Sequence, residues 1–300
     1  MHVVGTGLVA LDRIHVGMDD PLFEELGGSC GNVLISLAML GRSVTPVLRL
    51  GTDSVGERLE RELRLAGADT SLVSRRTDVR SPVIVELLDP ESSHHSFSFV
   101  CPASAERFGR YQSITFDDLE PARSAVSDCS VFYADRLSDT ICIAMEAAAA
   151  GGAIVHFEPS AIPDAELFAR ALSVAHIFKY SVDRLPDDVA DRLRPDAFSI
   201  VTSGRSGLDV RHDGRVYHCE ASNADVVRDT CGAGDMVTLG LLETIIQGAV
   251  HGPRSLSIST VLAGVRTGQK LAAANCAFIG ARGLFRECGV EHVRRLLAFA

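Results

Sequence analysis

Short apolar runs alternate with helix-length segments along most of this chain, and that alternation constrains the fold more than any other feature. Residues 2–9 form an apolar run punctuated by glycine and read as a buried strand. Residues 33–40 have helical length and stop at Gly41, and 44–50 is strand-like. In 54–66, Val55, Leu59 and Leu63 recur every four residues, the mark of an amphipathic helix ended by Gly67. After about 118 the alternation resumes, with helices at 119–126, 139–150 and 167–175 and strands at 130–134, 153–157, 176–179 and 198–202. A turn with Gly204 and Gly207 follows, and a further strand-like run ends at Val227. Residues 236–246 are apolar almost all round, so they form a buried helix, and 257–274 is a last long helix. Strands alternating with helices imply a mostly parallel sheet covered on both faces.

Two pieces, about 13–26 and 76–101, interrupt the pattern. In the second, strands at 82–88 and 96–100 flank a polar turn at 89–95, and Phe97 and Phe99 alternate with serines, as in a half-exposed hairpin. The expectation is one domain over 1–300, with these two pieces projecting together as a small lid. With 46% apolar and 23% charged residues, the chain can bury a large core and is not globally disordered. A net charge of −10 argues against nucleic acid as a partner, although a local field can still hold an anionic substrate. No window approaches the roughly 20 apolar residues that span a bilayer, and the apolar start runs into Asp12-Arg13, so a soluble, cytoplasmic protein without a signal peptide is expected. The eight cysteines form no C-x-x-C pair and no zinc-finger spacing, which leaves them as buried thiols.

Asp229-Thr230-Cys231-Gly232-Ala233-Gly234-Asp235 lies between the run ending at Val227 and the buried helix that begins near Gly232. Three small residues at a helix start leave backbone N–H groups uncovered, and these donors with the positive end of the helix dipole make an anion site. A carboxylate in the first turn, Asp235, can accept a proton from a hydroxyl while a phosphoryl group is transferred to it. An ordinary aspartate pKa of about 3.9 would keep it ionised. Taken alone, the heptapeptide also reads as a tight strand-to-helix turn with an N-terminal carboxylate.

This heptapeptide closely resembles the second signature of the ribokinase/PfkB family of carbohydrate kinases. The first signature of that family is matched by Gly27-Gly28-Ser29-Cys30-Gly31-Asn32 running to Leu40-Gly41. Gly51-Thr52-Asp53-Ser54-Val55-Gly56, the T-x-G-x-x-G run from Thr202 to Gly207, and Gly280-Ala281 follow in the family's order. The resemblance spans nearly the whole chain and implies a ribokinase-like three-layer α/β/α fold with a mostly parallel sheet and a small β lid. It implies an ATP- and Mg2+-dependent kinase acting on a sugar-like hydroxyl, with Asp235 as catalytic base and the amides of Gly232, Ala233 and Gly234 as anion hole. Asp12, Gly28 and Asn32 take the family's substrate-binding places, and Asp135 and Arg136 follow a strand where some members bind substrate. A turn or cap role for Asp12 and a surface ion pair for Arg136 remain open. Thr202, Gly204 and Gly207 resemble the nucleotide-supporting loop, and Asn275 and Gly280 lie where the family usually flanks adenine.

Two departures stand out. The family's N-x-x-E motif, which organises Mg2+ and its waters, is replaced by Ser181-Val182-Asp183-Arg184, with Asp183 as a substitute for the missing glutamate. The segment between Asp12 and Gly28 is shorter than in typical ribokinases, which implies a small lid and weakens a dimer built from lid strands, leaving monomer or homodimer open. Some members also need a monovalent cation. His94 and His95 fall in the expected lid turn, at the substrate or in solvent. A nucleoside kinase is the alternative, with Phe97, Phe99 and Tyr133 available for a base pocket, and a catalytically idle regulatory protein is the third reading.

Overall fold

The computed structural model describes residues 1–16, 21–89, 95–162, 164–185, 189 and 192–298. β1 (His2–Thr6) leads into β2 (Ala10–Val16) and β3 (Phe23–Gly27), and α1 (Ser29–Met39) follows. The strand expected at 44–50 is two strands in different sheets, β4 (Ser43–Pro46) and β5 (Leu48–Gly51). Pro46 has no N–H to continue a ladder, and Val47 N–H closes the strand by donating to Gly5 O at 2.8 Å. α2 (Ser54–Leu65) is capped by Asp53, whose side chain accepts from Gly56 N–H, and β6 (Val73–Arg76), β7 (Val83–Leu88) and β8 (His95–Ser98) come next. Pro121 breaks the helix expected at 119–126 into α3 (Phe116–Leu119), a 3-10 turn and α4 (Arg123–Asp128). The alternation then runs β9 (Val131–Ala134), α5 (Asp139–Ala150), β10 (Ile154–Phe157), α6 (Ala165–Val174), β11 (Ile177–Ser181) and β12 (Phe198–Thr202). A hairpin of β13 (Leu208–His212) and β14 (Arg215–Cys219) precedes α7 (Ala233–Gln247), α8 (Ile258–Asn275), α9 (Gly283–Cys288) and α10 (Val290–Ala298).

Eight strands form one sheet in the order β14-β13-β12-β11-β10-β9-β1-β4. From β12 to β4 every pairing is parallel, and only the β13–β14 edge is antiparallel. Side chains alternate across a strand, and this divides the core in two. Val131, Tyr133, Ile154 and Ile177 pack with residues of α1, α7 and α8. Phe132, Ala134, Val155, Phe157, Phe178 and Tyr180 pack with residues of α5 and α6. By the same parity, Tyr133, His156 and Lys179 lie on the α7 side of the sheet.

β2, β3, β7 and β8 form a separate sheet in the order β3-β2-β7-β8. It draws on both segments that interrupt the alternation, but it begins at Ala10, so Asp12 stands within a strand of this small sheet and not on the loop after β1. Cross-strand pairs share a face: Asp12 opposes Glu25 and Ile84, Ile14 opposes Glu86, and Leu88 opposes His95. One face therefore carries Asp12, Glu25, Glu86 and His95. His94 lies outside the described residues.

Candidate active site

The C-terminal ends of β1, β9, β10 and β11 meet the N-termini of α1 and α7, the crevice where open α/β sheets hold ligands. The strand expected before α7 is absent: the last strand ends at Cys219, and Val226 and Val227 are 50% and 43% exposed. The loop is held instead by polar bonds. Asp229, fully buried, accepts from Cys231 N–H and Gly280 N–H, both at 2.8 Å. Asn275 is equally buried, its Nδ2 donating to Cys231 O at 3.4 Å and Gly280 O at 3.2 Å while its Oδ1 accepts from Leu284 N–H at 2.9 Å. Gly232 caps α7 at φ 72°, and a Cβ there would lie 2.5 Å from Ala281 Cα, so no other residue fits this turn. Ala233 N–H donates to Thr230 O at 3.2 Å, whereas the N–H groups of Gly232, Gly234 and Asp235 have no acceptor among the described residues. Uncovered donors at the positive end of a 15-residue helix have the chemistry that suits an anion.

Asp235 stands in the first turn of α7, and its Oδ2 accepts from Asn32 Nδ2 at 2.8 Å. The ordinary pKa expected for it is not what the structure gives. Desolvation first, then the Glu158 carboxylate, push it up to about 7, against the Asn32 hydrogen bond and the charge of Lys179. Glu158 directly follows β10 and is engaged by the Lys179 ammonium and by Thr238 Oγ1 at 2.6 Å. The buried Lys179 lies beneath the helix start, since a Cβ on Gly234 would be 3.6 Å from its Nζ. Glu158 belongs to no motif read from the sequence, and Lys179 only begins the run Lys179–Arg184 that stands in place of N-x-x-E, with no role given to it. Their signals were available: a lysine inside an otherwise apolar strand, and a carboxylate at a strand's C-terminal end.

Gly28 begins α1 at φ 80°, where a Cβ would meet Leu8 O at 2.5 Å. This close approach aims Asn32 at Asp235, and Asn32 Oδ1 is buried with no hydrogen-bond partner. Asp12 Oδ1 is buried and unpartnered as well. Burial and then Glu25 push the Asp12 pKa up to about 8, opposed by Arg282 and the Gly28 amide. Asp135 has another place: it is wholly buried, accepting from Leu8 N–H at 2.8 Å and Cys30 N–H at 3.2 Å, so it braces the floor instead of facing the crevice. Arg136 is the more open of the two, its Nη1 3.0 Å from Asp135 Oδ2 and its guanidinium 5.9 Å from the Tyr111 ring centre. Tyr133 is fully buried, with its hydroxyl 3.4 Å from Glu158 Oε2, and cannot line a base pocket.

On the other side of the anion site, Thr202 ends β12 and its Oγ1 donates to Tyr180 O at 3.3 Å. Gly204 and Gly207 shape the turn into β13 at φ 53° and 87°. A cleft of about 300 Å3 lies beyond, bounded by Ser222, Asn223, Val226, Lys270, Ala273 and Ala277. Asn275 is on the same helix, α8, but is turned inward to the bonds described above. Asp183 is exposed just past β11, its Oδ2 3.5 Å from Ser181 Oγ. An exposed carboxylate at the crevice fits a hard cation such as Mg2+, directly or through water.

Residues 23–281 match the family described as pfkB family carbohydrate kinase. A fructokinase of Escherichia coli is 28% identical over 250 residues, covering 75% of this chain and 78% of that protein. Among solved structures, the fructokinase of Xylella fastidiosa with bound ATP superposes with a TM-score of 0.78 at 19% identity, over 99% of each chain. The aminoimidazole riboside kinase of Salmonella enterica gives 0.72 at 17% identity, over 99% of this chain and 100% of that one. A nucleoside kinase of Burkholderia thailandensis in complex with inosine gives 0.67 at 19% identity, over 93% and 91%. These structures share the ribokinase-like fold, and no helix among the described residues is long and apolar enough to cross a membrane. With the family match extending over most of its length, the chain belongs to the PfkB family and is an ATP-binding kinase.

Proposed function

We propose that this kinase transfers the γ-phosphoryl group of ATP to a hydroxyl of a sugar or sugar derivative. The observation that carries the reading is Asp235, raised to a pKa of about 7, beside the uncovered amides at the start of α7. The acceptor hydroxyl oxygen bonds to the γ-phosphorus, the bond from that phosphorus to the leaving ADP oxygen breaks, and the hydroxyl proton passes to Asp235. The amides of Gly232 and Gly234, with Ala233 shaping the turn, stabilise charge on the transferring oxygens, and Lys179 lies below them. Asp183 is the protein carboxylate that would hold Mg2+ beside the nucleotide, and the ion would there supply neutralisation of phosphate charge.

On the acceptor side, Asp12 Oδ1 and Asn32 Oδ1 are buried acceptors without donors, and hydroxyl groups of a polyol satisfy both. Gly28 keeps the backbone close enough for this pairing, Asp135 holds the loop beneath it, and Arg136 borders the pocket. The small sheet acts as the lid over the acceptor. Thr202, Gly204 and Gly207 support the nucleotide, the 300 Å3 cleft takes its base, and Asn275 and Gly280 hold the wall between cleft and anion site.

One observation favours a nucleoside acceptor as the second reading. Phe97 is 51% exposed on the face of the small sheet that carries Asp12, where a base could stack. The similar proteins include a fructokinase and kinases of ribosides, so both acceptor classes belong in one panel. ADP release with Mg-ATP is measured across ketoses, aldoses, sugar acids and nucleosides, and the product is identified by 31P NMR. The reading requires one class to give ADP and phosphorylated product in equal amounts. ATP binding without turnover on any class would favour the idle regulatory protein.

A further inference from the structure

The small sheet carries a second cluster of chemistry, which phosphoryl transfer does not use. Strand register builds it. Glu86 opposes Phe97, and Leu88 opposes His95, so Glu86 and His95 are diagonal neighbours on one face of the β7–β8 pair. That face meets the loop before α7: His95 Nδ1 lies 3.3 Å from Asp229 Oδ1. One ligand atom each from Glu86, His95 and Asp229 falls within 4.8 Å of the others, the one such group of three among the described residues.

Glu86 supplies an independent observation. It is 1% exposed, and neither of its carboxylate oxygens has a hydrogen-bond partner. A buried carboxylate in this condition is costly unless something compensates it. An N–H at His95 Nδ1 pairs the imidazole with Asp229 but leaves Glu86 unanswered. A proton on Glu86, shared with Asp229, answers one of its oxygens and leaves the other without a partner. A divalent cation between the three satisfies all of them together.

We propose that Glu86, His95 and Asp229 form a binding site for a divalent transition-metal ion of the Zn2+ class, which fastens the small sheet to the loop of the anion site. One imidazole nitrogen with two carboxylates is a donor set for borderline metals such as Zn2+ or Co2+, whereas Mg2+ takes oxygen alone. Asp229 also accepts from Cys231 N–H and Gly280 N–H, so an ion on it is tied directly to the turn that shapes the helix start. Metal occupancy therefore ties the small sheet to that turn.

The test needs neither nucleotide nor acceptor, so its outcome is independent of the phosphotransfer reading. The full chain is stripped with EDTA, dialysed and titrated with Zn2+ by calorimetry, and with Co2+ for its d–d absorption. The expected result is one ion per chain and a raised Tm. Glu86→Gln and His95→Asn should each weaken Zn2+ binding by at least the roughly tenfold that losing even a supporting residue costs, and should abolish the Co2+ spectrum. Should Glu86→Gln fail to fold, His95→Asn on the partly exposed β8 decides. Absence of Zn2+ binding at micromolar concentration, or binding unchanged by His95→Asn, would overturn the site.

Discussion

Beneath the crevice, Asp135 is wholly buried and its carboxylate is taken up by Leu8 N–H, Cys30 N–H and Arg136. Above it, Glu86 is almost as deeply buried, and neither of its oxygens has a partner. The contrast extends to other groups at the crevice. On the floor, Glu158 is paired with Lys179 and Thr238, and Asp229 holds two amides. On the small sheet, Asp12 keeps an unpartnered oxygen, and so does Asn32 at the start of α1. Fixed pairing makes the floor a scaffold formed before any ligand arrives. Unanswered acceptors make the upper side a place completed by what binds there. Asp235 stands at the junction, tied to α1 through Asn32 and raised toward neutrality by burial and Glu158.

Substitutions on the two sides should break differently. The largest effect is expected at the junction: Asp235→Asn should lower kcat by about 10^2–10^4-fold, with ATP affinity held within a few-fold in a calorimetric titration. On the floor, Lys179→Met leaves the largely covered Glu158 carboxylate without its cation and should cost about 3 kcal/mol of stability in urea unfolding. On the upper side, Asp12→Asn assayed at pH 9, where the Asp12 carboxylate is ionised, should cost about 1.5–3 kcal/mol in kcat/KM for the acceptor, because it removes a charged hydrogen-bond acceptor.

The effect of Asp12→Asn on stability should have the opposite sign, and be smaller. The folded pKa of Asp12 is raised to about 8, so the folded state holds its proton more tightly than the unfolded state does. The wild-type protein therefore loses stability as pH rises from about 4 to about 8, and the asparagine variant does not. Its Tm advantage without ligand should grow by a few degrees between pH 5 and pH 9. A loss of Tm at pH 9 would mean that Asp12 is partnered after all, and the contrast between floor and small sheet would fail.

The parallel layer was legible because its strands are short apolar runs between helices of regular period; 139–150 and 198–202 have the bounds expected for them. The failures have local causes. Pro46 split one apolar run between two sheets, and Pro121 broke a helix. The β13–β14 hairpin was hidden by polar strands on a sheet edge, although Asp213-Gly214, both at positive φ, is a hairpin turn dipeptide. Val226 and Val227 suggested a strand by their β-branched side chains, but they are half exposed on a loop held by Asp229 and Asn275. In the site, glycines and Asp235 could be read because a helix start that binds anions needs them in fixed order. Glu158, Lys179 and His95 each left a local signal, but their grouping, and Glu86 with it, could not be read, because sheet register brings them together from distant parts of the chain. The pKa of Asp235 was misjudged for the same reason, since its neighbours come from β10, β11 and α1.

The most direct test of Asp235 as a base made ready by burial is the pH dependence of kcat/KM between pH 5 and pH 9, with the best acceptor of the panel. A base must be ionised to accept the proton, so kcat/KM should rise with pH and level off through a pKa near 7. A profile flat down to pH 5 would contradict the account, because Asp235 would then have the ordinary acidity of an exposed carboxylate.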